Sequence, residues 1–340
     1  AKIWLQTCIE SHTTCKASFS SFFPARVLGV SPETLGASYV WLLISDDGER
    51  RGEKYVCLSR CWGRKPFLQT KSTNIEAHKN GISMAGLPPN FQDAADITRR
   101  PRLRYIWIDS LCIMQDDISD WRKESARISS IYEHAFLVLS ATKSKDAYEG
   151  MCISGFPTAH KTRTIKTATS TVAQDDGFSN DWALPATGRA WIFQERLLST
   201  RVLHFGPEEL TCECLESFDC QCGTLRNGPE TAIKRRQNVM AWQSMPPEQL
   251  NELWYDLVYR YHQLNLTNQG DIFPAISGLA KHFQRARGSG YVAGLWRGDL
   301  PHTLLWYRNR LPIHTYCGGR ESEKAGAGRF RDWNGGHVTP

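Results

Sequence analysis

The chain has 340 residues, with 41 Lys and Arg against 35 Asp and Glu, for a formal net charge of +6. That length supplies a core for one large domain or two ordinary ones, and so mild a charge does not by itself imply a nucleic-acid partner. Its 11 cysteines, an odd number without a signal peptide ahead of them, point to free thiols or metal ligands rather than a disulfide framework.

The start at Ala1 without Met suggests a trimmed or partial chain. Residues 3–13 read as a short helix, and Cys8, His12 and Cys15 recur at spacings that put all three on one helical face. Such a face suits three zinc ligands or, equally, two buried thiols beside an imidazole. Strands are predicted at Arg26–Val30 and Ala37–Ser45, with Asp46-Asp47-Gly48 as the following turn. Tyr55-Val56-Cys57-Leu58 is apolar on both faces, as in a central strand of a covered sheet. Ser59, Arg60, Cys61, Trp62 and Gly63 follow at its carboxyl end, and 64–90 reads as loop.

A helix is predicted from Phe91 to Arg100, then a strand over 104–109, Tyr105-Ile106-Trp107-Ile108-Asp109. The polar run Asp109 to Asp117, containing Cys112 and Gln115, falls where α/β proteins place their sites. Asp120 suits the N-cap of one helix over 121–134, with Trp121, Glu124, Ser125, Ile128, Ile131 and Tyr132 on its inward stripe. Phe136–Ser140 completes a βαβαβ unit, so the fold class is α/β, with a central largely parallel sheet and a C-terminal α+β elaboration.

Residues 143–187 are polar and read as loops. A helix over 188–198 carries Trp191, Gln194, Glu195 and Arg196, and strands follow at 201–205 and 210–214. Cys212, Cys214, Cys220 and Cys222 form a C-x-C-x5-C-x-C run, a second candidate zinc set. Lys234-Arg235-Arg236 is the clearest basic patch, and a solvated helix face explains it. Helices are predicted at 248–264 and 273–283, packed half-buried elements at 291–306, and a poorly ordered tail at 307–340. No apolar run reaches the roughly 18–20 residues of a membrane helix. The organisation reads as a lead-in at 1–50, a core at 51–205, an extension at 206–306 and the tail.

Tyr55 to Gly63, Leu87-Pro88 with Phe91-Gln92-Asp93-Ala94, Tyr105 to Asp117, Asp120-Trp121 with Glu124, and Gly188 to Phe205 resemble the ordered blocks of the fungal heterokaryon incompatibility (HET) domain. Arg60 stands where that family usually has His. The resemblance implies a fungal, cytoplasmic protein of non-self recognition linked to cell death, acting through a protein partner or self-association, without nucleic acid or a membrane span. It also implies a distant likeness to Toll/interleukin-1 receptor (TIR) domains, several of which cleave NAD.

On that reading Glu124, Asp109 and Ser59 are the candidate catalytic groups, with NAD as substrate. Trp62, Cys61, Arg60, Cys112, Gln115, Trp121, Gln194, Glu195 and Arg196 would line the pocket. The bland reading of Glu124 is an ion pair with Arg60, Arg189 or Arg196. A third reading makes Cys112 or Cys61 the nucleophile of a hydrolase, with Asp109 orienting an imidazole such as His204.

Overall fold

The computed structural model describes residues 1–16, 21–30, 38–45, 50–151, 185–207, 209–223, 239–292 and 294–300. The 46–48 turn, most of the polar stretch 143–187, the Lys234-Arg235-Arg236 patch and the 307–340 tail lie outside them.

Strands β1 (Arg26–Val30), β2 (Tyr39–Ile44), β3 (Tyr55–Ser59), β4 (Ile82–Ser83), β5 (Tyr105–Trp107), β6 (Leu137–Ser140), β7 (Arg201–Phe205), β8 (Leu210–Cys214) and β9 (Phe218–Cys220) form one sheet in the order β4-β2-β1-β5-β3-β6-β7-β8-β9. β5, β3, β6 and β7 run parallel, and the strands on both flanks are antiparallel. Residue composition explains this division. β3, β5 and β6 are buried throughout, as central strands covered on both faces must be, whereas β2 alternates. The parallel order places β3 between β5 and β6, so the connection leaving β3 runs one way along the sheet, to β5, and the connection leaving its neighbour β6 runs the other way, to β7. Neighbouring strands whose connections run in opposite directions mark, at their carboxyl ends, the position where doubly wound sheets bind their ligands.

The helices are α1 (Lys2–Ser11), α2 (Thr13–Lys16), α3 (Ile75–Asn80), α4 (Pro89–Arg99), α5 (Asp109–Cys112), α6 (Ile118–Ser125), α7 (Ile128–Glu133), α8 (Ala190–Leu198), α9 (Pro247–Tyr261) and α10 (Ser277–Arg287). Alternation along β3 assigns its two faces. The Tyr55 hydroxyl and Cys57 thiol both donate to the Ile131 carbonyl on α7, at 2.7 and 3.8 Å. Arg60, of opposite parity, lies over Phe91 of α4 at 4.7 Å from the ring centroid. α7 and α8 pack against α10 so closely that a Cβ on Gly278 would lie 2.3 Å from Ser129 Cβ and 2.9 Å from Gln194 Oε1. A second core lies among α8, α9 and α10, built on Trp242, Trp254, Phe283 and Trp296. Residues Ala1–Gly298 form one compact unit, and β8 and β9 continue its sheet beyond residue 205. The small hairpin β10 (Tyr291–Val292) and β11 (Leu295–Trp296) completes the elaboration.

Three local readings change. The stretch predicted as loop at 64–90 contains α3 and β4. The predicted helix 121–134 is two helices, α6 and α7, separated at Ala126 and Arg127. Asp117, not Asp120, caps α6, accepting from the Ser119 and Asp120 amides at 2.8 and 3.2 Å. Asp120 is instead held by Arg26, at 2.7 and 2.5 Å to its two oxygens, and accepts the Met114 amide. A fixed guanidinium gives a carboxylate a stronger charge-assisted partner than two exposed amides.

Candidate functional site

The carboxyl ends of β3 and β5 carry a group of polar side chains that straddles the crest of the sheet. On the α7–α8 face, the Ser59 hydroxyl donates to Glu195 Oε2 at 2.5 Å. Tyr132, which donates to the Leu58 carbonyl at 3.1 Å, also neighbours the Glu195 carboxylate. Burial raises the Glu195 pKa to about 7, and the nearby Asp109 carboxylate adds to the rise, while hydrogen bonds from Ser59 and Tyr132 and the charge of Arg189 oppose it. A carboxyl group so placed exchanges protons near neutrality, the range useful to an acid or base.

Across the crest, Trp62 Nε1 donates to Asp109 Oδ2, and Arg60 Nη2 lies 3.5 Å from Asp109 Oδ1. Arg60 also donates to Ser110 Oγ at 3.2 Å and lies over the Phe67 ring at 4.3 Å from its centroid. Burial lowers its pKa, and the charge of Asp109 opposes the shift. The Asp109 side chain keeps 24% of its surface exposed, against 1% for Arg60. Trp62 and Glu195 are half-buried as whole residues, but the Glu195 carboxylate is the part that burial desolvates. Gly63 makes the turn after β3 possible: its φ is +72°, and a Cβ would fall 2.4 Å from Asp146 Cβ.

The remaining sequence candidates go elsewhere. Glu124 is 1% exposed and sits 3.7 Å from Arg127, its ion-pair partner. Burial raises its pKa, and the charges of Arg26 and Arg127 oppose the shift. Its Oε2 has no hydrogen-bond partner among the described residues. Gln194 Oε1 accepts the Gly278 amide at 2.7 Å, a helix-packing role. Arg196 grips Glu213, Nε to Oε2 at 2.8 Å, and His204 Nε2 meets that same oxygen at 3.1 Å. Gln115 hydrogen-bonds the Ile113 and Asp109 carbonyls, and Trp121 packs against the main core. Cys112 is fully buried with its pKa pushed up to about 12, and burial pushes Cys61 to about 11. Neither thiol is poised to ionise.

Residues missed as site members from sequence are Tyr132, Phe67 and Arg189. Tyr132 lay on the predicted inward stripe, and only the side that its helix packs against reveals its proximity to Glu195.

A second group lies at the opposite end of the sheet. The candidate ligand atoms of Cys8, His12, Cys15 and Cys214 all lie within 4.8 Å of one another, a set that has the geometry to hold a metal ion. His12 Nδ1 is 3.2 Å from Cys214 Sγ, and the Ser217 amide donates to that sulfur at 3.2 Å. Arg201 Nε donates to Cys8 Sγ at 3.2 Å. Hydrogen bonds from Cys15 and Cys8 pull the Cys214 pKa far below the thiol range, while Cys15 is pushed up.

The C-x-C-x5-C-x-C run therefore does not act as one ligand set. Cys214 joins the N-terminal residues, Cys220 and Cys222 gather with Glu209, and Cys212 is in neither group.

Residues 55–195 match the family described as Heterokaryon incompatibility protein (HET). The matched segment holds the whole strand-end group and none of the four members of the sulfur group. No curated protein and no solved structure matches the chain.

Proposed function

With a HET domain at residues 55–195 as premise, we propose that the chain serves fungal heterokaryon incompatibility as a cytoplasmic cell-death signalling module, working through a protein partner or self-association. The family match carries this reading. No helix among the described residues is long and apolar enough to cross a membrane. The reading is tested by expressing the chain in a filamentous fungus and scoring viability, with self-association followed by sedimentation over a concentration series. Unimpaired growth at high expression, with the protein monomeric throughout, removes it.

A second reading is favoured by the strand-end group: cleavage of the N-glycosidic bond of NAD. Glu195 and Asp109 place two carboxylates beside an aromatic side chain at the carboxyl ends of the strands. Negative charge there stabilises an oxocarbenium-like ribosyl cation as nicotinamide leaves. Water then adds to the ribosyl carbon, and Glu195, with a pKa of about 7, takes its proton. This shifts the main carboxylate role from Glu124 to Glu195, because Glu124 is enclosed beside Arg127. The cysteine hydrolase reading loses support from the raised thiols of Cys112 and Cys61.

The test is nicotinamide release from NAD by wild type, Glu195→Gln and Glu124→Gln, with and without a crowding agent. Release that Glu195→Gln abolishes and Glu124→Gln spares supports this assignment. Release by all three proteins removes the residue assignment, and no release by wild type removes NAD cleavage.

A further inference from the structure

We infer that Cys8, His12, Cys15 and Cys214 form a closed, structural zinc site that fastens the N-terminal helices to the flank of the sheet. Tetrahedral zinc binds thiolate sulfur at about 2.3 Å and imidazole nitrogen at about 2.0 Å, which sets ligand-to-ligand separations of roughly 3.5–3.8 Å. The four candidate ligand atoms already lie within 4.8 Å of one another, and His12 Nδ1 is 3.2 Å from Cys214 Sγ.

Local structure explains how the ligands converge. α1 presents Cys8, and the chain leaves the helix at His12, whose φ of −83° and ψ of 111° are extended. α2 then returns Cys15 to the same point. Cys214, the last residue of β8, pairs with Arg201 across the β7–β8 ladder. Cys8, Cys15 and Cys214 are all buried, and three thiols with one imidazole fill a tetrahedron. No position is left for water, which marks a structural rather than a catalytic site.

The surroundings suit thiolates. The Ser217 amide donates to Cys214 Sγ, and Arg201, 1% exposed, donates to Cys8 Sγ and to the Cys15 carbonyl. Three thiolates on Zn²⁺ leave one net negative charge, which the Arg201 guanidinium offsets. Zinc takes all three cysteines as thiolates, so each thiol proton still held goes to solvent as three Zn–S bonds and one Zn–N bond form, with no change in oxidation state. Soft sulfur donors in this number select zinc over magnesium or calcium. A disulfide would consume two thiols and strand the third beside the imidazole.

The test uses the whole chain, purified without chelator or histidine tag and analysed for metal by mass spectrometry. Wild type and Cys212→Ser are expected to hold about one zinc per chain, and Cys214→Ser less than about a tenth of that. If Cys214→Ser fails to fold, cobalt exchange into wild type decides: the expected spectrum combines thiolate-to-cobalt charge transfer with the strong d–d bands of tetrahedral cobalt. His12→Cys should keep the metal and strengthen the charge-transfer band. Metal-free wild type, an octahedral cobalt spectrum, unchanged zinc in Cys214→Ser, or Cys8, Cys15 or Cys214 found in a disulfide each overturns the site.

Discussion

The two ends of the parallel strands carry opposite kinds of polar cluster. At the carboxyl ends, Asp109, Glu195 and Trp62 keep part of their surface in water. At the amino ends, beside Phe136 and Arg201, three sulfurs and an imidazole face one another and close off the space between them. Burial acts on both clusters with different results. It lifts a carboxylate toward neutrality at one end, where proton exchange is useful. At the other it packs donors together, which is favourable once a cation is shared. Chemistry and fastening are thereby separated along a single sheet.

The strongest way to break this comparison is to remove a ligand from the closed end. Cys15→Ala should destabilise the chain by roughly 3–5 kcal/mol, the scale of losing a buried cross-link. Prolonged chelation of wild type should lower Tm in the same direction. Both would be read by thermal unfolding, and a Tm unchanged in each shows that the closed end fastens nothing.

Glu195→Gln should act the opposite way at the open end. The folded chain holds Glu195 near 7 against an ordinary 4.5. A raised carboxyl pKa means the folded state binds its proton more tightly than the unfolded state. Its contribution is therefore complete below about pH 4.5 and is lost as the pH rises to about 7. Wild type should lose up to roughly 3 kcal/mol over that window, and Glu195→Gln should not. Denaturant unfolding at several pH values checks this. Parallel pH profiles for the two proteins would place Glu195 in an ordinary solvated environment.

Gly63→Ala tests the turn that shapes the same end. A positive φ and a 2.4 Å approach to Asp146 Cβ predict a loss of about 2 kcal/mol. The strand-end hydrogen bonds should loosen with it, which hydrogen exchange at Trp62 and Ser110 would report. Native-like exchange at both positions would uncouple the turn from the cluster.

The contrast also explains what could be read from residues alone. β3 and β6 were legible because unbroken apolar runs suit strands covered on both faces. β4 was not, because two residues between a short helix and a 3-10 turn carry no period. Ser59, Trp62 and Asp109 were legible as strand-end residues, and they meet the same group of side chains. Glu195 stood among the candidates, but its link to Ser59 spans 136 residues and follows only once α8 is docked. Cys8, His12 and Cys15 were singled out by helical spacing and do gather, but not on one helical face: α1 ends at Ser11, His12 is extended and Cys15 lies on α2. Their fourth member was hidden because sequence proximity grouped Cys214 with Cys212, while the register of β8 against β7 sets it beside Arg201.

The finest test compares Glu124 with Glu195 directly. Glu124 and Glu195 both have raised pKa values for the same first reason, burial, yet they differ in what else they meet. Glu195 has Ser59 and Tyr132 to hold its proton or its charge. Glu124 has a long pair to Arg127 at 3.7 Å and the field of Arg26, with one oxygen that accepts no hydrogen bond among the described residues. Gln keeps the shape and removes the desolvated charge, so Glu124→Gln should change stability by less than about 1 kcal/mol at pH 7. Its raised pKa gives the same sign as Glu195: stability falls as the pH climbs through the folded pKa, and Gln removes that slope. Arg26 remains neutralised by Asp120, which limits the cost of losing the Glu124 charge. A loss of several kcal/mol on Glu124→Gln, read by denaturant unfolding, would make the Arg26–Glu124–Arg127 group a strong ionic network and would erase the contrast between the two glutamates.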